Sequence, residues 1–168
     1  MKHIYCTVVS LAFLCLSCTK HNENNELNRS DLEFMQQMSI NHKNEIAAAK
    51  LVASNANSSA IKNFGQDMSS AYANAQSELE RLAATVNLDV SGGDAHTQQE
   101  ATRLNVLSGY SFDTAYINNE VKAHRGMLAL YQDAFNNGNN ATVKGFVHRH
   151  FEEMEKNFLR ADSLSRHL

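Results

Sequence analysis

The sequence predicts an all-α chain, a four-helix bundle made from one helical hairpin used twice with a long crossover linker between the copies. Three observations lead there. The 168 residues contain no Pro and only 7 Gly, which disfavours a turn-rich sandwich or barrel. Apolar residues recur at helical spacing through four long stretches separated by breaks rich in Asn, Ser or Gly. The second half also repeats the first in one ungapped register, 82 residues on.

In chain order, Met1 to Ser17 is a signal segment: a basic start at Lys2, then an apolar run from Ile4 to Leu16. Thirteen residues are too few to cross a ~30 Å hydrocarbon core comfortably but suit a signal-peptide core. The run closes on Leu14-Cys15-Leu16-Ser17-Cys18 and turns abruptly polar. A small residue before a Cys in that position resembles a bacterial lipobox, although Cys15 stands where the usual pattern has Leu. The resemblance implies cleavage before Cys18, diacylglycerol on its sulfur, and a domain facing the periplasm, with the outer membrane favoured because Thr19 is not Asp. The other reading is an ordinary secretory signal in which Cys18 is incidental. Residues 18–29 read as a flexible tether and 30–168 as the bundle domain.

Ser30-Asp31-Leu32-Glu33 has the capping-box pattern, so the first helix is expected to start there, with Met35, Met38, Ile46, Ala49 and Ala53 facing inward. The Asn55–Ser59 cluster turns the chain into a second helix carrying Ile61, Phe64, Met68, Ala75, Leu79, Leu82 and Val86. After Ser91-Gly92-Gly93-Asp94, Thr97 and Glu100 suggest a short helix through Leu107. The third long helix, from about Ser111, shows Ile117, Val121, Leu128, Tyr131 and Phe135. Asn136–Asn140 breaks the chain again, and the last helix presents Val143, Val147, Phe151, Met154, Phe158, Ala161 and Leu164.

The repeat sets Asp31 on Asp113, His42 on His124, Asn57 on Asn139, Lys62 on Lys144, Phe64 on Phe146 and Leu82 on Leu164, preserving both turns and the apolar stripe. Helices of about 24 residues are ~36 Å long, and two such hairpins bury their stripes by packing together. The linker from Asp89 to Tyr110 can run the length of that bundle, which favours a ferritin-like arrangement with the second and third long helices parallel.

Charge and composition narrow the function classes. With 15 Lys+Arg against 18 Asp+Glu and no basic stripe, no nucleic-acid partner is expected; the expected partner is the membrane, through the anchor on Cys18. All three Cys lie in the first 18 residues, so the folded domain offers no thiol nucleophile, disulfide or zinc cluster. No nucleophile–base constellation is visible, and an enzyme is the less favoured class.

Ile61-Lys62-Asn63-Phe64-Gly65-Gln66-Asp67-Met68, Phe112-Asp113-Thr114-Ala115-Tyr116 and His124 resemble the motifs of the bacterial domain of unknown function family 4142 across Asp31 to Leu164. The resemblance implies a ferritin-like fold and is almost silent about activity. Where that family shows His, this chain has Tyr72 and Asn157. The first helix, with Phe34-Met35-Gln36-Gln37-Met38 and His42, also resembles domain of unknown function family 305, some of whose members are linked to copper.

His42 and His124 fall on core-facing positions. Glu45 lies three residues after the first and Glu120 four before the second, so each acid shares its histidine's face. In antiparallel helices the four could converge as two imidazoles and two carboxylates, a ligand set for Zn, Mn or Fe, with Met38 the detail favouring Cu. Tyr72 and Met154 are expected near the same level. A hydrogen-bonded polar layer or another ligand pocket would explain the same residues. Two functions follow: a lipid-anchored envelope bundle with a non-catalytic binding or maintenance role, or a metal-binding ferritin-like protein using His42, Glu45, Glu120 and His124. His148 and His150, two apart on a helix, diverge; Glu152–Lys156 is expected to pair on a solvated face, and Asp113 to cap a helix.

Overall fold

The structure is a computed structural model describing residues 25–92 and 94–168; the signal segment, Cys18 and most of the tether lie outside the described residues. Those residues form five helices and no strand: α1 (Arg29–Asn55), α2 (Ser59–Thr85), α3 (Asp94–Asn105), α4 (Gly109–Asn137) and α5 (Ala141–Ser165). None of them is long and apolar enough to cross a membrane.

Helix α1 starts earlier than its capping motif suggests. Its N-cap is Asn28, which accepts from Asp31 N–H while the Asp31 carboxylate accepts from Asn28 N–H, a reciprocal box that satisfies two orphan donors. Ser30, the expected cap, donates instead to Asp133 at 2.5 Å. Residues 25 and 26, assigned to the tether by sequence, already accept hydrogen bonds from Asn140 and Asn139. Helix α2 ends where the chain turns left-handed at Asn87 (φ 54°), and Leu88 N–H closes back on Ala83 C=O at 2.9 Å. Gly109 (φ +60°) lets the chain enter α4 in a conformation that residues with a Cβ resist.

Two aspartates fix the helix directions. The Asp31 carboxylate, in the first turn of α1, accepts Asn139 and Asn140 N–H at 3.0 Å each in the α4–α5 turn. The Asp113 carboxylate, just past the first turn of α4, accepts Asn57 and Ser58 N–H at 3.0 and 2.8 Å in the α1–α2 turn. Each end of the bundle therefore joins a helix start to the opposite turn, and α1 runs antiparallel to α4 while α2 and α4 run the same way. The linker holding α3 returns along α1, tied by Ser39 and Lys43 donating to Val90 C=O.

The core is one apolar cluster reaching from Phe34, Phe64, Phe112 and Phe146 to Leu79, Leu82 and Ala161. Some expected stripe residues lie outside it: Phe135 is 52% exposed and Ala53 is exposed, because a straight 3.6-residue period drifts off the seam over a long helix. Met35, Met38 and Met154 are core filler as expected, and Lys156 and Glu152 pair at 2.7 Å in solvent.

Candidate functional site

Midway along the bundle the helices bury polar side chains in what is otherwise apolar packing. All six residues singled out by sequence are there: His42 and Glu45 from α1, Tyr72 from α2, Glu120 and His124 from α4, and Met154 from α5. None is more than 6% exposed, and His42, Glu120 and His124 are at 0%. They divide into three neighbouring groups rather than one cluster.

The first group centres on His124. Its Nδ1 lies 2.8 Å from the Glu120 backbone carbonyl and therefore carries the proton, which leaves Nε2 to accept from the Tyr72 hydroxyl at 2.9 Å. Both ring nitrogens are thus engaged. The second group is the carboxyl pair Glu45–Glu120 with the Tyr116 hydroxyl beside it. The third is His42, whose ring stands 5.6 Å from that of Tyr72 while Tyr72 stands 5.9 Å from His124, so the phenol touches both imidazoles. Neither nitrogen of His42 has a hydrogen-bond partner, nor does either oxygen of Glu120. Gln76, whose amide oxygen is also unpartnered, lies near it on α2.

Burial sets the protonation states. It pushes His42 down to about 4, against a weaker upward pull from Gln76, and His124 down to about 4, against the carbonyl at its Nδ1. Both are neutral imidazoles at pH 7. Burial lifts Glu120 to about 7, with Glu45 and Tyr116 opposing, and holds Glu45 well above the usual carboxyl range, reinforced by the nearby Glu120 charge. Two buried carboxyls side by side cannot both ionise, so the pair retains a proton at neutral pH. The 3.5 Å approach of Glu120 Oε2 to His124 Nδ1 has the geometry of an ion pair, but with the imidazole neutral it is not one.

Space around the layer is scarce. A cavity of about 30 Å³ lies against His42, walled by Tyr72, Tyr131, His150, Met154 and Asn157. Tyr72 and Asn157, the two positions where the resembled family shows His, both face this one cavity. On the other side a shallow cleft of about 320 Å³ exposes the edge of Glu45 among Asn41, Asn44, Asn119 and Lys122. Among the described residues no three His, Cys, Asp or Glu side chains are grouped to hold a metal ion.

Several contributors escaped the sequence reading. Tyr116 was seen only as part of a motif, yet its buried hydroxyl faces Glu120. Gln76 and Ser39 look like surface residues but are buried and bonded to each other at 2.9 Å. Ser39 could have been placed from its position three before His42 and four after Met35. His150 diverges from exposed His148, as its spacing required, and turns inward to Glu78 at 2.8 Å.

Comparison with known proteins fits this architecture. The model of the family described as Domain of unknown function (DUF4142) matches residues 16–164. No curated protein matches. Among solved structures, a DUF305 protein of Streptomyces coelicolor superposes with a TM-score of 0.69 at 18% identity, over 82% of this chain and 91% of that one. A DUF305 fragment from Deinococcus radiodurans superposes with a TM-score of 0.74 at 10% identity, over 84% of this chain and 99% of that one. At such identities the likeness concerns the fold alone.

Proposed function

This chain belongs to the DUF4142 family, and on that premise we propose that it is a lipid-anchored protein of the bacterial cell envelope whose helical bundle faces the periplasm and serves as a non-catalytic binding or envelope-maintenance module. The observation that carries the non-catalytic part is the burial of the layer's imidazoles. Its imidazoles are neutral and sealed from solvent, His124 has both nitrogens engaged, and the cavity at His42 has room for a water-sized occupant but no organic substrate. The anchor rests on the Leu16-Ser17-Cys18 motif. A location outside the cytoplasm is supported by the Streptomyces coelicolor neighbour, which is described as a "putative secreted protein".

The bundle is read as ferritin-like, two copies of one hairpin related by a two-fold. The reciprocal aspartates support this: Asp31 binds the turn at 139–140, and Asp113, 82 residues on, binds the turn at 57–58. Each contact maps onto the other under the repeat.

Complementation tests the function. In a strain lacking the protein and challenged with an envelope stress such as detergent, wild type and Glu120→Gln should restore growth. Cys18→Ala should leave membranes for the soluble fraction and fail to restore it. A folded, membrane-bound Glu120→Gln chain that does not complement would show the layer to be chemically active and sink the reading.

One observation favours a second reading, a metal-binding ferritin-like protein with His42, Glu45, Glu120 and His124 as ligands. Five buried donor atoms of three of these residues lack partners: both nitrogens of His42, Glu45 Oε2 and both oxygens of Glu120. His124 could join them only if Tyr72 released its Nε2. Elemental analysis of protein purified without chelators tests this; less than ~0.2 equivalents of metal and no rise in Tm with zinc or copper ends it.

A further inference from the structure

We infer that the outer groove between α4 and α5 is the face through which two copies of this chain pair, about a two-fold axis running along the groove parallel to the helices. The face stands on its own observations; only the direction of the axis rests on the lipid-anchor reading. The two hairpins differ sharply here. In the first, the outer groove between α1 and α2 is polar and covered by the linker: Gln76 donates to Ser39, Ser39 to Val90 C=O, and Lys43 to Val90 and Ser91 C=O. The 82-residue shift puts Val121 on Ser39, Phe158 on Gln76 and Arg125 on Lys43. Val121 and Phe158 are only half-buried, and Arg125, whose guanidinium lies 5.8 Å from the centre of the Phe158 ring, is exposed. Further along, Phe135 and Phe151 stand where the first copy has Ala53 and Ser69. About half of Phe135 is in solvent, as is Leu159 on α5. With Gln132, His148 and Glu152 the two phenylalanines wall an open groove of about 320 Å³. Aromatic surface of this kind, with polar residues at its rim, marks an interaction site.

Charge and anchor geometry make the occupant a second copy. Glu155 lies between Phe151 and Phe158 at helical spacing, so it shares their face, and Arg125 reaches across to Phe158, less than a turn beyond it. Among the described residues neither Arg125 nor Glu155 has an ion partner in the chain. An axis along the groove lays α4 of one copy over α5 of the other at the same height, so Arg125 of each meets the partner's Glu155. The anchor fixes the direction. Asn25 C=O accepts from Asn140 at 2.6 Å, which sets the start of the described chain at the α4–α5 turn. Cys18 is seven residues earlier, a reach of at most ~25 Å. An axis along the helices keeps both Asn25 residues at one end, facing one membrane. An axis across them would part those ends by the length of α4, 29 residues or ~44 Å, beyond that reach. The face runs ~21 Å from Val121 to Phe135 and is two helices wide, which is small for a specific interface. Pairing in solution should therefore be weak, and confinement to one membrane raises the effective concentration that favours it.

Sedimentation equilibrium of the full chain in density-matched detergent tests the face. It should show monomer and dimer with a Kd on the order of 10–100 µM. Phe135→Ser should weaken pairing at least ~10-fold, and Arg125→Glu or Glu155→Arg alone at least ~5-fold. The combined reversal should return to within about twofold of the parent, because it restores the opposite charges. All three positions are exposed, so the variants keep the fold. A monomer at every concentration, which would leave the groove to lipid or another protein, overturns the pairing. So does association that no variant changes, or a combined reversal no tighter than the single ones. In cells, chains carrying Gln132→Cys should form disulfides with differently tagged chains carrying His148→Cys; linkage no greater than between two Gln132→Cys chains overturns the axis. A chain that pairs in detergent but fractionates away from membranes keeps the face and removes the anchor reading, and a membrane-bound monomer does the reverse.

Discussion

Replacing Glu120 with Gln should make the protein more stable at alkaline pH and change the shape of its pH profile. Glu120 titrates at about 7 in the folded protein against 4.5 for an ordinary carboxyl. A carboxyl whose folded pKa is raised binds its proton more tightly in the native state, so its contribution is complete below pH 4.5 and is lost as pH climbs to 7. That interval, at ~1.4 kcal/mol per unit, amounts to about 3 kcal/mol. Glu45, displaced further in the same direction by burial and the Glu120 charge, extends the loss to higher pH. The histidines act oppositely: with folded pKa values of about 4, they remove stability as pH falls from 6.5 to 4. Between 4.5 and 6.5 the two imidazoles and the two carboxyls nearly cancel, so the wild-type profile should be flat there and fall on either side. Urea unfolding followed by circular dichroism from pH 4 to pH 9 measures this directly. Relative to wild type, Glu120→Gln should gain about 2–3 kcal/mol on going from pH 5 to pH 8. A difference that stays constant within about 0.5 kcal/mol across that range, the usual scatter for a change without a specific mechanism, would refute the proton-retaining pair.

Four further substitutions probe the frame. Tyr72→Phe removes the donor to His124 Nε2 and leaves a buried nitrogen unpaired, so it should cost about 1–3 kcal/mol in urea unfolding and shift the His124 ring resonances. Asp31→Asn and Asp113→Asn each weaken a charged acceptor shared by two turn N–H groups; each should cost about 2 kcal/mol, and hydrogen exchange should quicken at 139–140 for the first and at 57–58 for the second. Gly65→Ala would put a Cβ 2.7–2.9 Å from the Val52 side chain where α1 and α2 cross, and should lower stability by about 1–3 kcal/mol, read as a lower Tm.

What could be read from the sequence follows from which interactions are local. The α2 stripe at Ile61, Phe64, Met68, Leu79 and Leu82 was visible because helical periodicity writes burial into neighbouring residues, and all five are buried. His42, Glu45, Glu120 and His124 were placed at one buried level by spacing alone. How they pair is not legible, because that depends on Tyr72 contacting both imidazoles and bonding to His124, a contact across three helices. Asp113 is expected to cap its own helix, but α4 starts earlier, at Gly109 behind Ser108, and the carboxylate instead binds the distant turn at 57–58. Asn87 was passed over because only its left-handed backbone makes it a stop.

On the duplicated-hairpin reading, the two copies have diverged unevenly, and the pattern of divergence separates frame from site. At the ends the copies still match: Asp31 and Asp113 make equivalent bonds to equivalent turns, and Phe64 and Phe146 are both fully buried. At mid-height only the histidines match. The 82-residue shift puts Met38 against Glu120, Glu45 against Met127, Tyr72 against Met154, and Met68 against His150. A bundle needing only a filled core would gain nothing from replacing Met with Glu or His at buried positions, since an apolar side chain of similar size packs there without desolvation cost. The ends stay alike, while the middle holds two carboxyls in one seam and the His42 cavity in another. The aspartates hold the hairpins in register, while the middle differs between one side of the bundle and the other.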